Sequence, residues 1–379
     1  MSFNENTIKV TKYDCLGKLP NPFLFDNGEE VKSVNDWEKR RKEIYKTAVE
    51  LQYGTMPPKP EFFEYETLYE DQQFNYHIVA GPKDKPVHFL LSVFKPAGEG
   101  KFPVVVDGDL GFRYPFNNGF IKTFTDNGIC FAVFNRTELA PDRIWSTECT
   151  GQLKRAYPEY TFGAIGAWAW GYSRVVDVLE TLDYIDTDRI AFTGHSRGGK
   201  TALLAGVLDE RASIVNPNET CAGGGACYRL HIEAIQENGE TQRSETLADL
   251  LEKFTSWVGP ELIQYADKED ELPFDSHYLK ALVAPRTLFV SEAASDIWGN
   301  PIGSWQTTMA ANEVYKLYGK EENLLWYYRN GYHYHELQDI EMLVNVIKNK
   351  GEGEPLKDNY FKLPFKKPEL MFDWKCPEK

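Results

Sequence analysis

The sequence is short of cations, of paired cysteines and of long apolar runs, and each shortage closes off a class of function. Forty-two lysines and arginines stand against 57 aspartates and glutamates, a formal net charge of −15. A broad basic face for nucleic acid or for an anionic membrane surface is therefore not expected. No apolar stretch approaches the roughly 20 residues that cross a bilayer. The six cysteines include no C-x-x-C pair, and a chain of 379 residues can bury a large core without disulfides, so reduced thiols are expected. The opening "MSFNENTIKV" has no basic stretch ahead of an apolar core, which points to a cytoplasmic protein. A chain whose export leader had been cleaved would read the same way. Internal repeats and low-complexity segments are also missing.

What is present is alternation. A helix is expected over 34–53, begun near Ser33 and stopped by the breaker "GTMPPKP". Strand-like runs follow at 87–96, 102–108 and 128–135, then a long helix at 163–184 and a buried strand at 189–194. Beyond it come a helix beginning "GGKTALLAGVL", the short strands "ASIVNP", "RTLFVSE" and "NLLWYYR", and a helix over 304–318 between the last two. Strands alternating with helices predict the α/β class, a mostly parallel central sheet in a three-layer sandwich. One domain over 1–379 is expected, with an extension over about 1–60 and a Pro- and Lys-rich surface tail over about 351–379.

The chemistry centres on "FTGHSRGGK". Gly194-His195-Ser196-Arg197-Gly198 fits G-x-S-x-G between a strand and a helix, the nucleophile turn of the α/β-hydrolase fold. Ser196 is then exposed above the carboxyl edge of the sheet, where the helix start and the Arg197 N–H oppose a developing oxyanion. The base of such a fold follows its last strand, which offers His333 or His335 in "YYRNGYHYHELQD". Their H-x-H spacing lacks a nearby third ligand, so neither metal nor cofactor is expected. For the acid, Glu292 and Asp296 follow "RTLFV", while Glu219 follows the strand beyond the nucleophile helix. Spacing alone leaves the choice open.

Taken together, "DWEKRRKEIYKTAVELQYGTMPPKP", "GAWAWGYSRVVDVLE", "GHSRGGKTALLAGVLDER", "NPNETCAGGGACYR" and "LPFDSHYLKALVAPR" resemble the glucuronoyl esterases, carbohydrate esterase family fifteen. The resemblance runs in order along nearly the whole chain. It implies hydrolysis of the ester between (4-O-methyl-)glucuronic acid of xylan and a lignin-type or other alcohol. It implies Ser196 as nucleophile, His333 as base, and Glu219 as acid in preference to Asp296. It further implies Arg197 at the oxyanion, and Lys200 and Trp298 on the sugar; Gln242 and Glu252 fit the remaining sugar contacts loosely. His195 and Tyr334 stand where fungal members pair two cysteines, which fits a bacterial type. The expected partner is a glucuronate ester or a glucuronoxylan fragment met by a monomer, with no nucleic acid and no membrane. Rival readings are an acetyl-carbohydrate or general carboxylesterase of the same fold, and a non-catalytic sugar-binding homologue.

Overall fold

The computed structural model describes residues 8–71, 73–112, 119–235, 239–352 and 362–378. Its strands, in chain order, begin with β1 (Lys9–Cys15), β2 (Phe62–Glu70), β3 (Gln73–Gly81) and β4 (Val87–Phe94). Next come β5 (Phe102–Asp107), β6 (Cys130–Phe134), β7 (Ile185–His195) and β8 (Ile214–Asn218). The last four are β9 (Leu230–Ile235), β10 (Thr241–Arg243), β11 (Thr287–Ala293) and β12 (Leu324–Arg329). Nine of them form one sheet in the order β12-β11-β8-β7-β5-β6-β4-β3-β2. Pairing is parallel from β12 to β6 and antiparallel from β6 outward through β4, β3 and β2.

The residues explain that division. Strands β6, β8 and β11 are buried at every position, as apolar runs covered on both faces must be. Strand β4 instead alternates, with Val87, Phe89, Leu91 and Val93 buried and His88 and Leu90 exposed. One face of the antiparallel wing therefore meets solvent. The two outermost wing strands and the small sheet β1-β9-β10 have no counterpart among the strands expected from the sequence.

The helices that matter for the site are α1 (Val34–Ile44), α2 (Phe120–Asp126), α3 (Ala164–Leu179) and α4 (Arg197–Leu208), followed by α5 (Leu247–Phe254), α6 (His277–Val283), α7 (Pro301–Tyr318) and α8 (Leu337–Glu352). Apolar residues of α3 and α4, including Trp168, Val175 and Leu203, pack one face of the sheet. Phe120, Phe124, Leu343 and Ile347 of α2 and α8 cover the other face against Val105, Phe131 and Phe289. The three layers are those expected. The helix expected over 34–53 is segmented: α1 passes into a π-helix at Tyr45–Glu50 and a last α-turn at Leu51–Tyr53. It stops at Gly54, where φ is +83° and any Cβ would lie 2.2 Å from the Thr161 carbonyl oxygen.

Of the expected carboxy-terminal wrap, 353–361 and 379 lie outside the described residues, as do 1–7 of the amino-terminal extension. The rest of the tail packs: Phe365, Met371 and Phe372 are buried with Ile232, Trp305 and Tyr328. Among the described residues no helix is long and apolar enough to cross a membrane.

Candidate active site

Strand β7 turns into helix α4 through Ser196, whose backbone sits at φ +56° and ψ −118°. A serine held there costs on the order of 1–3 kcal/mol, and the neighbours that hold it are specific. Its N–H donates to the Asn218 carbonyl at 2.9 Å, and the His195 N–H donates to Asp109 Oδ2 at 3.0 Å. The flanking glycines are required by contact. A Cβ at Gly194 would lie 2.5 Å from the Gly198 carbonyl oxygen, and one at Gly198 would lie 2.2 Å from the Asp109 carboxylate.

Above the turn is a recess of about 120 Å³ lined by Asp109, Phe112, Arg136, His195, Ser196, Arg197 and His333. The Arg197 guanidinium is cradled: Nη1 donates to both oxygens of Asp142 at 3.2 Å, and the group lies over the rings of Trp257 (4.6 Å) and Phe254 (5.2 Å). Asp142 also accepts from Trp257 Nε1 at 3.2 Å. Beneath it the buried Arg136 pairs with Asp109 and approaches Asp142 to 3.7 Å; burial pulls its guanidinium down to about 10. None of Asp109, Arg136 and Asp142 was expected from the sequence, because each belongs to a loop that reads as ordinary surface chain.

Of the two histidines after β12, His333 lines the recess and His335 does not. His335 is buried with its ring stacked on His195, and burial pushes it down to about 3. His333 Nδ1 hydrogen-bonds Asp296 Oδ2 at 2.7 Å and stands 3.4 Å from Glu219 Oε2. The second oxygen of Asp296 accepts the Gly299 N–H at 3.0 Å. Glu219, fully buried at φ +46°, gives its other oxygen to Arg329, which Asp339 also holds at 2.9 Å. The preference for Glu219 over Asp296 is therefore not what the distances favour: both carboxylates reach His333, and Asp296 makes the hydrogen bond. Burial pulls the His333 imidazole down, but Asp296 and Glu219 outweigh it and raise the group to about 10. Burial pushes Glu219 well above the usual carboxylate range, against the pull of His333 and Arg329. The third candidate, Glu292, turns away to accept from Ser304 Oγ at 2.5 Å, and burial raises it to about 8.

The residues expected on the sugar are placed unevenly. Lys200 is only 2 % exposed; its ammonium donates to the Thr220 carbonyl at 2.5 Å and lies 3.7 Å from Glu245. One turn beyond Ser196, the loop from Thr220 to Gly225 folds over the Lys200 stem. Trp298 is half-buried near Arg243 and Lys253, and its carbonyl accepts the Glu245 N–H at 3.0 Å. Gln242 lies half-buried in β10 opposite Ala234, and Glu252 is exposed on α5. The acid beside Lys200 is Glu245. It precedes Thr246, which caps α5, and so reads in sequence as a helix-entry acid.

Two donor sets among the described residues could hold a transition metal by type: His195, Glu219 and His333, and Cys221, Asp296 and His333, each with atoms within 4.8 Å of one another. Both use His333, so an ion there would compete with its bond to Asp296. A hydroxyl on a strained turn, an imidazole backed by carboxylates and a fixed guanidinium in one recess are the parts of acyl transfer.

The model of the glucuronyl esterases of fungi matches residues 78–319. A 4-O-methyl-glucuronoyl methylesterase of Podospora anserina is 30% identical over 81% of this chain, which spans only 61% of that relative's length. One from Wolfiporia cocos is 31% identical over 80% of this chain and 72% of its own. Among solved structures, a carbohydrate esterase family 15 glucuronoyl esterase from Caldicellulosiruptor kristjansonii superposes with a TM-score of 0.82 at 26% identity, over 98% of this chain and 99% of that one. A mutant glucuronoyl esterase from Sporotrichum thermophile, in complex with methyl 4-O-methyl-β-D-glucopyranuronate, gives 0.73 at 26% identity, over 94% and 93%.

Proposed function

Because the chain belongs to the glucuronyl esterase family, we propose that it hydrolyses esters of (4-O-methyl-)glucuronic acid through a glucuronoyl-serine intermediate. The observation that carries this reading is the single recess in which Ser196, Arg197 and His333 meet, with His333 bonded to Asp296 behind it. The Nδ1–H of His333 donates to Asp296, leaving Nε2 to take the Ser196 proton as Oγ attacks the ester carbonyl. The oxyanion is met by the Arg197 N–H and guanidinium; one such donor is worth about 3–4 kcal/mol of barrier. Asp142, Trp257 and Phe254 hold that guanidinium in place before substrate arrives, so the step needs little reorganisation. His333 then returns the proton to the leaving alcohol, and water attacks the acyl-serine by the same route in reverse, releasing glucuronate.

Trp298 offers a face for the pyranose, and Glu245, whose N–H donates to the Trp298 carbonyl, and the Lys200 paired with it would be hydrogen-bonding partners for hydroxyls. Phe112, which lines the recess, and Tyr332 and Tyr334, which flank His333 in the chain, are exposed and would give a lignin-type alcohol apolar surface to lie on. Parallel assays of benzyl glucuronate and nitrophenyl acetate test the proposal. The uronate ester is expected to show the higher kcat/KM; a reversed preference would assign the site to a general or acetyl esterase, and binding without cleavage of either to a sugar-binding homologue.

A further inference from the structure

The solvent-facing side of the antiparallel wing carries two histidines that the ester chemistry does not use. His77 pairs with Leu90 and His88 with Val79 across β3 and β4, which puts both imidazoles on the same face of the sheet. Their rings are stacked at 22°, and His88 Nδ1 lies 3.2 Å from His77 Nε2. Two nitrogens at that separation, each about 2.0–2.1 Å from one ion, subtend roughly 100° at it, close to the tetrahedral angle. That spacing is compatible with both nitrogens ligating one ion.

The backbone beneath the pair is fixed. The amino-terminal half of β4 has no strand partner on its β6 side, since pairing with β6 begins only at Leu91. Gln152 replaces it, accepting from the His88 N–H at 3.0 Å and donating to the His88 carbonyl at 2.8 Å. Glu138 accepts from the Leu90 N–H at 3.0 Å. These bonds occupy main chain and leave the His88 imidazole to its neighbour. Behind the sheet Val87, Phe89 and Leu91 are buried, so the face cannot turn inward.

We propose that His77 and His88, completed by water, form a surface site for a divalent first-row transition-metal ion that ties β3 to β4. Imidazole suits zinc, nickel or copper rather than calcium or magnesium. The site is open to solvent and separate from the His333 cluster, which is half-shielded and would lose its proton relay on binding an ion.

Calorimetric titration of the intact protein with Zn²⁺ and with Ni²⁺, run beside the ester assay and a thermal melt, tests this. The expected result is one ion per chain, a raised Tm, hydrolysis unchanged, and affinity lowered about tenfold or more in His88→Ala and in His77→Ala. His88 faces solvent, so His88→Gln serves as a second variant that keeps the fold and should also bind more weakly. Equal binding by the unaltered protein and these variants would overturn the proposal, as would no binding by about millimolar metal. Binding that grows only as hydrolysis falls would place the ion on His333 and overturn it too. The titration and the melt read the site whether or not the protein cleaves uronate esters.

Discussion

Two loops converge on His333, one beyond β8 carrying Glu219 and one beyond β11 carrying Asp296, and they are built differently. Asp296 spends its second oxygen on a neutral backbone N–H, so its charge remains available to the imidazole. Glu219 shares its charge with Arg329, which is itself tied to Asp339 and to the Tyr332 carbonyl in the histidine loop. On the proposed mechanism, Asp296 at 2.7 Å would orient the base, while Glu219 at 3.4 Å would brace the loop that carries it. A buried acid near a catalytic histidine is thus identified by what its other oxygen does as much as by proximity.

The floor of that comparison is set by the nucleophile. Ser196→Ala should lower kcat by about 10⁴-fold or more whatever the two loops contribute. Against that floor, Asp296→Asn should cost about 10³-fold in kcat and Glu219→Gln about tenfold, measured on one glucuronate ester. Equal losses, or the reverse order, would break the ranking. Asp142→Asn should reduce kcat about tenfold with KM nearly unchanged, since it loosens the Arg197 guanidinium without touching either acid. A matching rise in KM would mean that Asp142 holds the substrate cleft open instead.

The smallest effect is a displacement in pH. His333 is held up to about 10, burial opposing and the two carboxylates prevailing. Below that value it is the imidazolium and cannot accept the Ser196 proton, so kcat/KM should rise with pH on a limb above that of an ordinary imidazole. Removing one negative neighbour in Glu219→Gln weakens the imidazolium and should move the limb down by about a unit. A limb that stays put would show that Glu219 carries no charge felt by the base.

The strained turn at Ser196 was legible because its information is local: strand, Gly194, Ser196, Gly198 and helix lie within one short stretch. The order of strand, turn and late histidine likewise follows the chain. The choice of acid was not legible, since it depends on where two distant loops arrive and on Arg329 standing beside one of them. The burial of Lys200 escaped helical spacing because the covering glycine loop comes later in the sequence. Strands β2 and β3 were missed for a related reason. In "FFEYETLYE" no position is fully buried and glutamates interrupt the aromatic residues, so no apolar run marks the strand.

The most direct test is to find the acyl group. An activated aryl ester of glucuronic acid, mixed with the protein, quenched within the first turnovers and digested, should leave a glucuronoyl mass on the peptide that contains Ser196 and none on the Ser196→Ala protein. A glucuronoyl adduct on any other residue, or unimpaired turnover by Ser196→Ala, would contradict a serine esterase built on this turn.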